Sequence, residues 1–252
     1  ILLWIVTPLA ASLLLRAIAG DGWKDWGIKP NFKGNAAWYV AAFLLYPVST
    51  ACILIIGRSF GLMTFPDSSL GALTLTFQAF VLGMPPNFIK NFFEESAWRG
   101  YLAPKVYSLR LNDFVGHSIV GLIWGAWHIP YYLFFLDHAL LRDFTTLNLA
   151  VFILLAIVVM ISWAMAYGEI LLATKSIWPA VLMHAVEDSL LIPLFIDHRI
   201  QIRPGTDWLI SPMSGLISVI FFLTISIGFR QLRLRTIRLQ GKPNQESSIL
   251  TL

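Results

Sequence analysis

Charge is what this chain has least of. Asp, Glu, Lys and Arg make up 13% of its 252 residues, about half the ~25% that a soluble domain carries, and that excludes an ordinary water-facing surface. Cysteine is almost missing as well: the single Cys52 lies in an apolar run, which excludes a disulfide framework and a Cys-based metal site of the usual spacing. The paired-histidine zinc motif His-Glu-x-x-His does not occur, and neither does an internal repeat. The polar-apolar alternation of a membrane barrel is also absent. Basic residues exceed acidic ones by only 18 to 14. They sit mostly at helix ends and in a C-terminal cluster, so nucleic acid is not an expected partner.

What fills the chain is apolar sequence: 57% hydrophobic residues and a mean hydropathy of +0.72. A bilayer core of about 30 Å needs roughly 20 apolar residues per helix. Such stretches recur near Ile1–Ile18, Ala36–Ile56, Leu70–Phe93, Phe114–Leu136, Leu147–Ala173, Ile177–Ile196 and Trp208–Phe229. Backbone groups in hydrocarbon must pair within their own segment. The expected fold is therefore all-α, a polytopic transmembrane bundle of seven spans whose partner is the lipid bilayer. The chain opens mid-hydrophobic at Ile1, so an eighth span upstream is expected. Residues 1–240 form the transmembrane domain and 241–252 a polar, disordered tail.

With the C-terminus in the cytoplasm, twelve of the 18 Lys and Arg fall in inside segments and four in outside loops, with Arg16 and Lys90 uncounted at helix ends. The positive-inside rule favours that orientation, and the size of the chain favours a bacterial plasma membrane. The basic stretch from Arg230 to Lys242 is expected at anionic headgroups. Prolines should break helices: Gly83-Met84-Pro85-Pro86 is expected to interrupt the third span, with a new helix starting near Asn87. Trp178-Pro179 should open the sixth, where a first-turn proline is tolerated.

Ionisable groups inside such helices are costly, about 2.5–3.5 kcal/mol each on insertion scales, and need a partner or a function. Three clusters stand out. In Phe92-Phe93-Glu94-Glu95-Ser96-Ala97-Trp98-Arg99-Gly100, Glu95 and Arg99 are four apart and face each other in the favourable order. Glu94 points about 100° away and has no evident local cation, which makes Glu95 and Arg99 a structural pair and Glu94 the candidate general base. In Trp124-Gly125-Ala126-Trp127-His128-Ile129-Pro130, His128 shares a face with Trp124. In His184-Ala185-Val186-Glu187-Asp188, His184 and Asp188 share a face, so the carboxylate can fix the tautomer or charge of the imidazole. Trp98, Trp124 and Trp127 are expected to line the pocket these clusters make. His117, His138 and His198 read as interfacial.

Taken one at a time, each cluster also fits a bland role: a helix-end charge patch, a packing histidine, a structural His-Asp pair. Three helices bringing carboxylates and imidazoles to membrane depth imply a polar pocket. Such a set activates water either with a glutamate as base or through a bound metal, for which Zn with Glu94, His128 and His184 as candidate ligands is the expected form. It also suits a binding pocket or a proton relay.

The three clusters, in this order, resemble the CPBP family of membrane proteases, which includes CAAX prenyl endopeptidases of the Rce type and bacteriocin-processing or immunity proteins. That family shows Glu-Glu-x-x-x-Arg, here Glu94, Glu95 and Arg99 continued by Gly100-Tyr101-Leu102. It then shows Phe-x-x-x-His, here His128 with Trp124 in place of the phenylalanine, and His-x-x-x-Asn or Asp, here His184 and Asp188. The matched stretch runs from about 86 to 193. The resemblance implies an intramembrane endopeptidase acting on peptide or membrane-anchored protein substrates, without obligatory metal. In it Glu94 activates the attacking water, His128 assists, and His184 with Asp188 supports the oxyanion. A non-catalytic immunity or binding protein and, further off, a proton-coupled transporter use the same pocket differently.

Overall fold

The computed structural model describes residues 2–239, so the polar tail 241–252 and Lys242 lie outside the described residues, as does the side chain of His138. In chain order the elements are α1 (Leu2–Ile18), α2 (Ala36–Ser59), strand β1 (Met63–Thr64), α3 (Leu70–Ala97), a π-helical turn (Trp98–Leu102), α4 (Ala103–Tyr107) and α5 (Asp113–Pro130). A second π-helical turn (Tyr131–Phe135) follows, then α6 (His138–Phe144), α7 (Leu149–Thr174), α8 (Trp178–Ile196), strand β2 (Gln201–Ile202), α9 (Asp207–Ile210) and α10 (Leu216–Leu239). The all-α bundle expected from the sequence is what forms. β1 and β2 are one short antiparallel pair, Met63 opposite Ile202.

Among the described residues, six helical runs are long and apolar enough to cross a membrane: 36–59, 70–107, 113–135, 149–174, 178–196 and 216–239. The seventh expected span, at the N-terminus, is apolar but shorter, with α1 covering 17 residues against the roughly 20 that a bilayer core needs. The last span starts later than expected. Residues 207–215 make α9 and a tight turn, because Pro212 follows Ser211 and a Cβ on Gly215 would sit 2.5 Å from the Ser211 carbonyl oxygen.

The expected break at Pro85-Pro86 is not there: α3 runs unbroken from Leu70 to Ala97. A proline inside a membrane helix is tolerated where a neighbouring helix holds the segment. α8 does so here, with Asn87 Nδ2 donating to Ser189 Oγ at 2.9 Å directly after the prolines. Gly83 allows the approach, since a Cβ there would lie 3.3 Å from Ser189 Oγ. Caps are conventional, with Ser69, Asn112 and Asn148 side chains accepting from the first-turn amides of α3, α5 and α7. Trp178-Pro179 opens α8 as expected.

α8 is the centre of the bundle. Of its apolar window 72% is buried, against 6% for α3, so α3 turns most of its surface outward and α8 is wrapped by its neighbours. α3 and α2 pack on α8, and α5 and α10 pack on α7. Aromatic rings fill the middle, with Tyr46 5.3 Å from Trp163 and Trp124 5.6 Å from Tyr167 between centroids.

The two ends of the bundle are tied separately. At one end Arg16 Nη2 donates to Gly100 O at 2.5 Å, Tyr101 Oη to Asp21 at 2.6 Å, and Trp178 Nε1 to Ile28 O at 2.7 Å. This gathers the 19–35, 98–112 and 174–178 segments, those grouped on one side by their positive charge. At the other end Thr146 Oγ1 donates to Asp207 at 2.6 Å and β1 pairs with β2.

His117, expected at the interface, is instead fully buried. Its Nε2–H donates to Glu169 at 3.2 Å and Tyr107 Oη lies 2.7 Å from Nδ1. Arg233 Nε donates to the other Glu169 oxygen at 2.7 Å and Arg233 Nη2 to Asp113 at 2.5 Å. A buried ion network therefore clamps α10 onto α5 and α7. Helix periodicity conceals this from the sequence, because each partner lies on a different helix. Gly168 makes room for it: a Cβ there would fall 2.0 Å from His117 Nδ1. Gly168→Ala is expected to lower stability by about 1–3 kcal/mol through overpacking. Thermal unfolding in detergent checks this, and the same substitution in a His117→Ala background should cost clearly less. His198, by contrast, is exposed as expected.

Candidate functional site

One periodicity builds the polar face of α3. Asn87, Lys90, Asn91 and Glu94 recur three and four apart, so they line up on one side of the helix, and that side meets α8. Glu95 lies on the adjacent face and points deeper. From α5 come Trp124 and His128, four apart, and from α8 His184, Glu187 and Asp188. Asn87, Lys90, Glu94, Trp124, His128, His184, Glu187 and Asp188 all border one cavity of about 320 Å³. The rest of its wall is apolar or aromatic: Leu136, Leu141, Phe144, Phe152, Met160 and Ile192, with Trp4 and Ile5 of α1 on one flank and Tyr131 and Tyr132 of the second π turn on another.

Glu95 and Arg99 pair as expected, Nη1 to Oε1 at 3.1 Å, with both side chains buried. Arg99 falls in the first π turn, and its guanidinium is sandwiched 4.4 Å from the Trp124 ring centre and 4.1 Å from that of Tyr167. The imidazole held by this pair is His184, whose Nδ1–H donates to Glu95 Oε1 at 2.8 Å. Asp188, the partner expected from spacing, is turned the other way: its Oδ2 accepts from Lys90 Nζ at 2.8 Å and Asn91 Nδ2 at 2.7 Å. The helix spacing was right; the competing donors on α3 were not visible from α8 alone.

Glu94 does have a cation beside it, contrary to expectation. Lys90, one turn earlier, brings Nζ within 3.5 Å of Oε1. Its other oxygen, Oε2, is buried and has no hydrogen-bond partner among the described residues, although a carboxylate oxygen in such a place needs a donor. His128 Nδ1–H donates to the Trp124 carbonyl at 2.9 Å, which leaves Nε2 as the free nitrogen of the ring.

Of the three tryptophans expected in the pocket wall, Trp124 is there. Trp98 and Trp127 are not among the lining residues; they pack on each other at 6.1 Å, and Trp127 stacks on Trp4 at 4.3 Å. Trp127 is three residues from Trp124 and one from His128, so it is rotated off their shared face and meets α1 instead. Lys90, Asn91 and Glu187 went unmarked in the sequence, although Lys90 is four residues before Glu94 and Glu187 three after His184.

Among the described residues the group close enough to share one metal ion is His184, Glu187 and Asp188, with ligand atoms within 4.8 Å of one another. That differs from the Glu94, His128 and His184 set. The donor types suit a divalent cation such as zinc. The arrangement suits it less, because Lys90 and Asn91 already hold one Asp188 oxygen, Oδ2, and bring a positive charge to the place.

The family model for type II CAAX prenyl endopeptidase, Rce1-like, matches residues 76–190, a range that contains every polar residue of the cavity wall. This bears out the family resemblance carried by the three motifs and supports CAAX-type intramembrane endopeptidases as the class. No curated protein and no solved structure gives a significant match.

Proposed function

We propose that this chain, Rce1-like over residues 76–190, is an intramembrane endopeptidase that hydrolyses peptide bonds of membrane-associated or lipidated substrates, with Glu94 as the base that activates water. The observation that carries the reading is that Glu94, whose buried Oε2 has no hydrogen-bond partner among the described residues, borders the cavity that also holds His128 and His184. A water donating to Oε2 is steered by His128 Nε2. Glu94 takes a proton as the water oxygen bonds to the scissile carbonyl carbon. His184, held as an imidazolium by Glu95 at Nδ1–H, donates its Nε2–H to the oxyanion. The tetrahedral adduct then collapses: the C–N bond breaks, the proton held by Glu94 passes to the leaving nitrogen, and an acid and an amine result. The apolar wall from Leu136 to Ile192 receives the hydrophobic part of the substrate. The end of the bundle rich in Lys and Arg faces the cytoplasm.

A metal-activated water is the second reading, favoured by the spacing of His184, Glu187 and Asp188. A bound ion there would polarise a carbonyl or acidify water, but it would sit beside the Lys90 ammonium, which lies 2.8 Å from Asp188 Oδ2 and opposes a second positive charge. A chelator is therefore expected to leave the cleavage rate of a quenched lipidated peptide unchanged. Loss of activity that zinc restores would move the reaction to the metal.

A further inference from the structure

Hydrolysis builds negative charge on the carbonyl oxygen, and this cavity holds three carboxyl groups around it: Glu94, Glu187 and Asp188. An ionised carboxylate accepts hydrogen bonds and donates none. Asparagine at 188 would offer an N–H to that oxygen; Asp188 cannot, and its charge opposes the one being formed. Against three carboxyl groups His184 is a single donor, and the cavity wall contains a second, cationic one that its sequence motifs do not include. We propose that Lys90 is a catalytic residue whose ammonium donates to the oxyanion in place of Asp188, an inference that rests on the endopeptidase reading above.

Lys90 Nζ lies 2.8 Å from Asp188 Oδ2 and 3.5 Å from Glu94 Oε1. An ammonium has three N–H donors; one is used by Asp188, Glu94 lies at ion-pair distance, and the side chain, which borders the cavity, is 30% exposed. Contact with Glu94 places Nζ beside the activated water, hence beside the carbonyl which that water attacks. Arg99, the other nearby cation, is enclosed between Trp124 and Tyr167 and does not border the cavity. Asp188 and Asn91 then act as positioning residues: Asn91 holds Asp188 and Asp188 holds Lys90. A preorganised donor of this kind is the usual largest contribution to stabilising acyl-transfer adducts.

The test compares wild type, Lys90→Met, Lys90→Arg and Glu94→Gln on a quenched lipidated peptide, and measures binding of two uncleavable ligands: a phosphinic peptide, which mimics the anionic tetrahedral adduct, and its neutral counterpart with an alkene in place of the scissile amide. Lys90→Met is expected to lower kcat by about 10²- to 10³-fold with KM held, and to weaken the phosphinic peptide by a similar factor while the other ligand binds as before. Lys90→Arg keeps most of both. If the methionine variant does not fold, Lys90→Gln carries the same comparison. Wild-type kcat in Lys90→Met, or equal weakening of both ligands, overturns the assignment while the endopeptidase reading stands on loss of activity in Glu94→Gln. If wild type itself cuts no peptide and binds no phosphinic peptide, that reading falls and Lys90 with it.

Discussion

Glu94→Gln is expected to lower kcat by about 10²- to 10⁴-fold, the contribution of a positioned general base, while KM and thermal stability stay close to wild type. Glutamine keeps the length and shape of the side chain, so the cavity and its apolar wall are unchanged and peptide still binds. What is lost is the acceptor that takes the proton of water at Oε2, an oxygen with no other partner among the described residues. The amide also removes a negative charge beside Lys90, whose ammonium keeps its bond to Asp188. Steady-state kinetics on a quenched lipidated peptide separates the two parameters. A fall confined to KM would show that Glu94 binds substrate rather than activating water.

Arg99→Met should act on the fold rather than on chemistry. Arg99 and Glu95 are both buried and paired at 3.1 Å. Removing one member of a buried pair leaves the other charged and uncompensated, at a cost of about 3–5 kcal/mol. Two further interactions go with it, the contacts of the guanidinium with the faces of Trp124 and Tyr167. Glu95 also orients His184, so the residual folded protein should show a lower kcat as well. Thermal unfolding in detergent measures the first effect. A variant that melts with wild type would mean that the pair contributes nothing to the bundle.

Much of this was legible because a membrane makes polar residues conspicuous. Glu94, Glu95, Arg99, His128, His184 and Asp188 were found by asking which ionisable groups lay where lipid tolerates none, and the structure brings all of these but Glu95 and Arg99 to one cavity, with those two behind His184. The wiring between helices was less accessible. Spacing along α8 pairs His184 with Asp188, yet Glu95 from α3 takes the imidazole and Lys90 takes the carboxylate. Lys90 was hidden by its position near an expected helix end, a place that lies mid-helix because α3 continues through Pro85 and Pro86. His117 illustrates the same blindness, since Glu169 and Arg233 arrive from elements 52 residues or more away in sequence. Hydropathy located the spans well but could not weigh the short first helix or the turn before α10.

The central claim is that this cavity hydrolyses a peptide bond with Glu94-activated water. Its most direct test is mass spectrometry of a lipidated peptide incubated with the purified protein in ¹⁸O-labelled water. Wild type is expected to yield two fragments, with one solvent oxygen in the new carboxyl group, and Glu94→Gln to leave the peptide intact. A peptide left whole by wild type, or cut equally by Glu94→Gln, would contradict it.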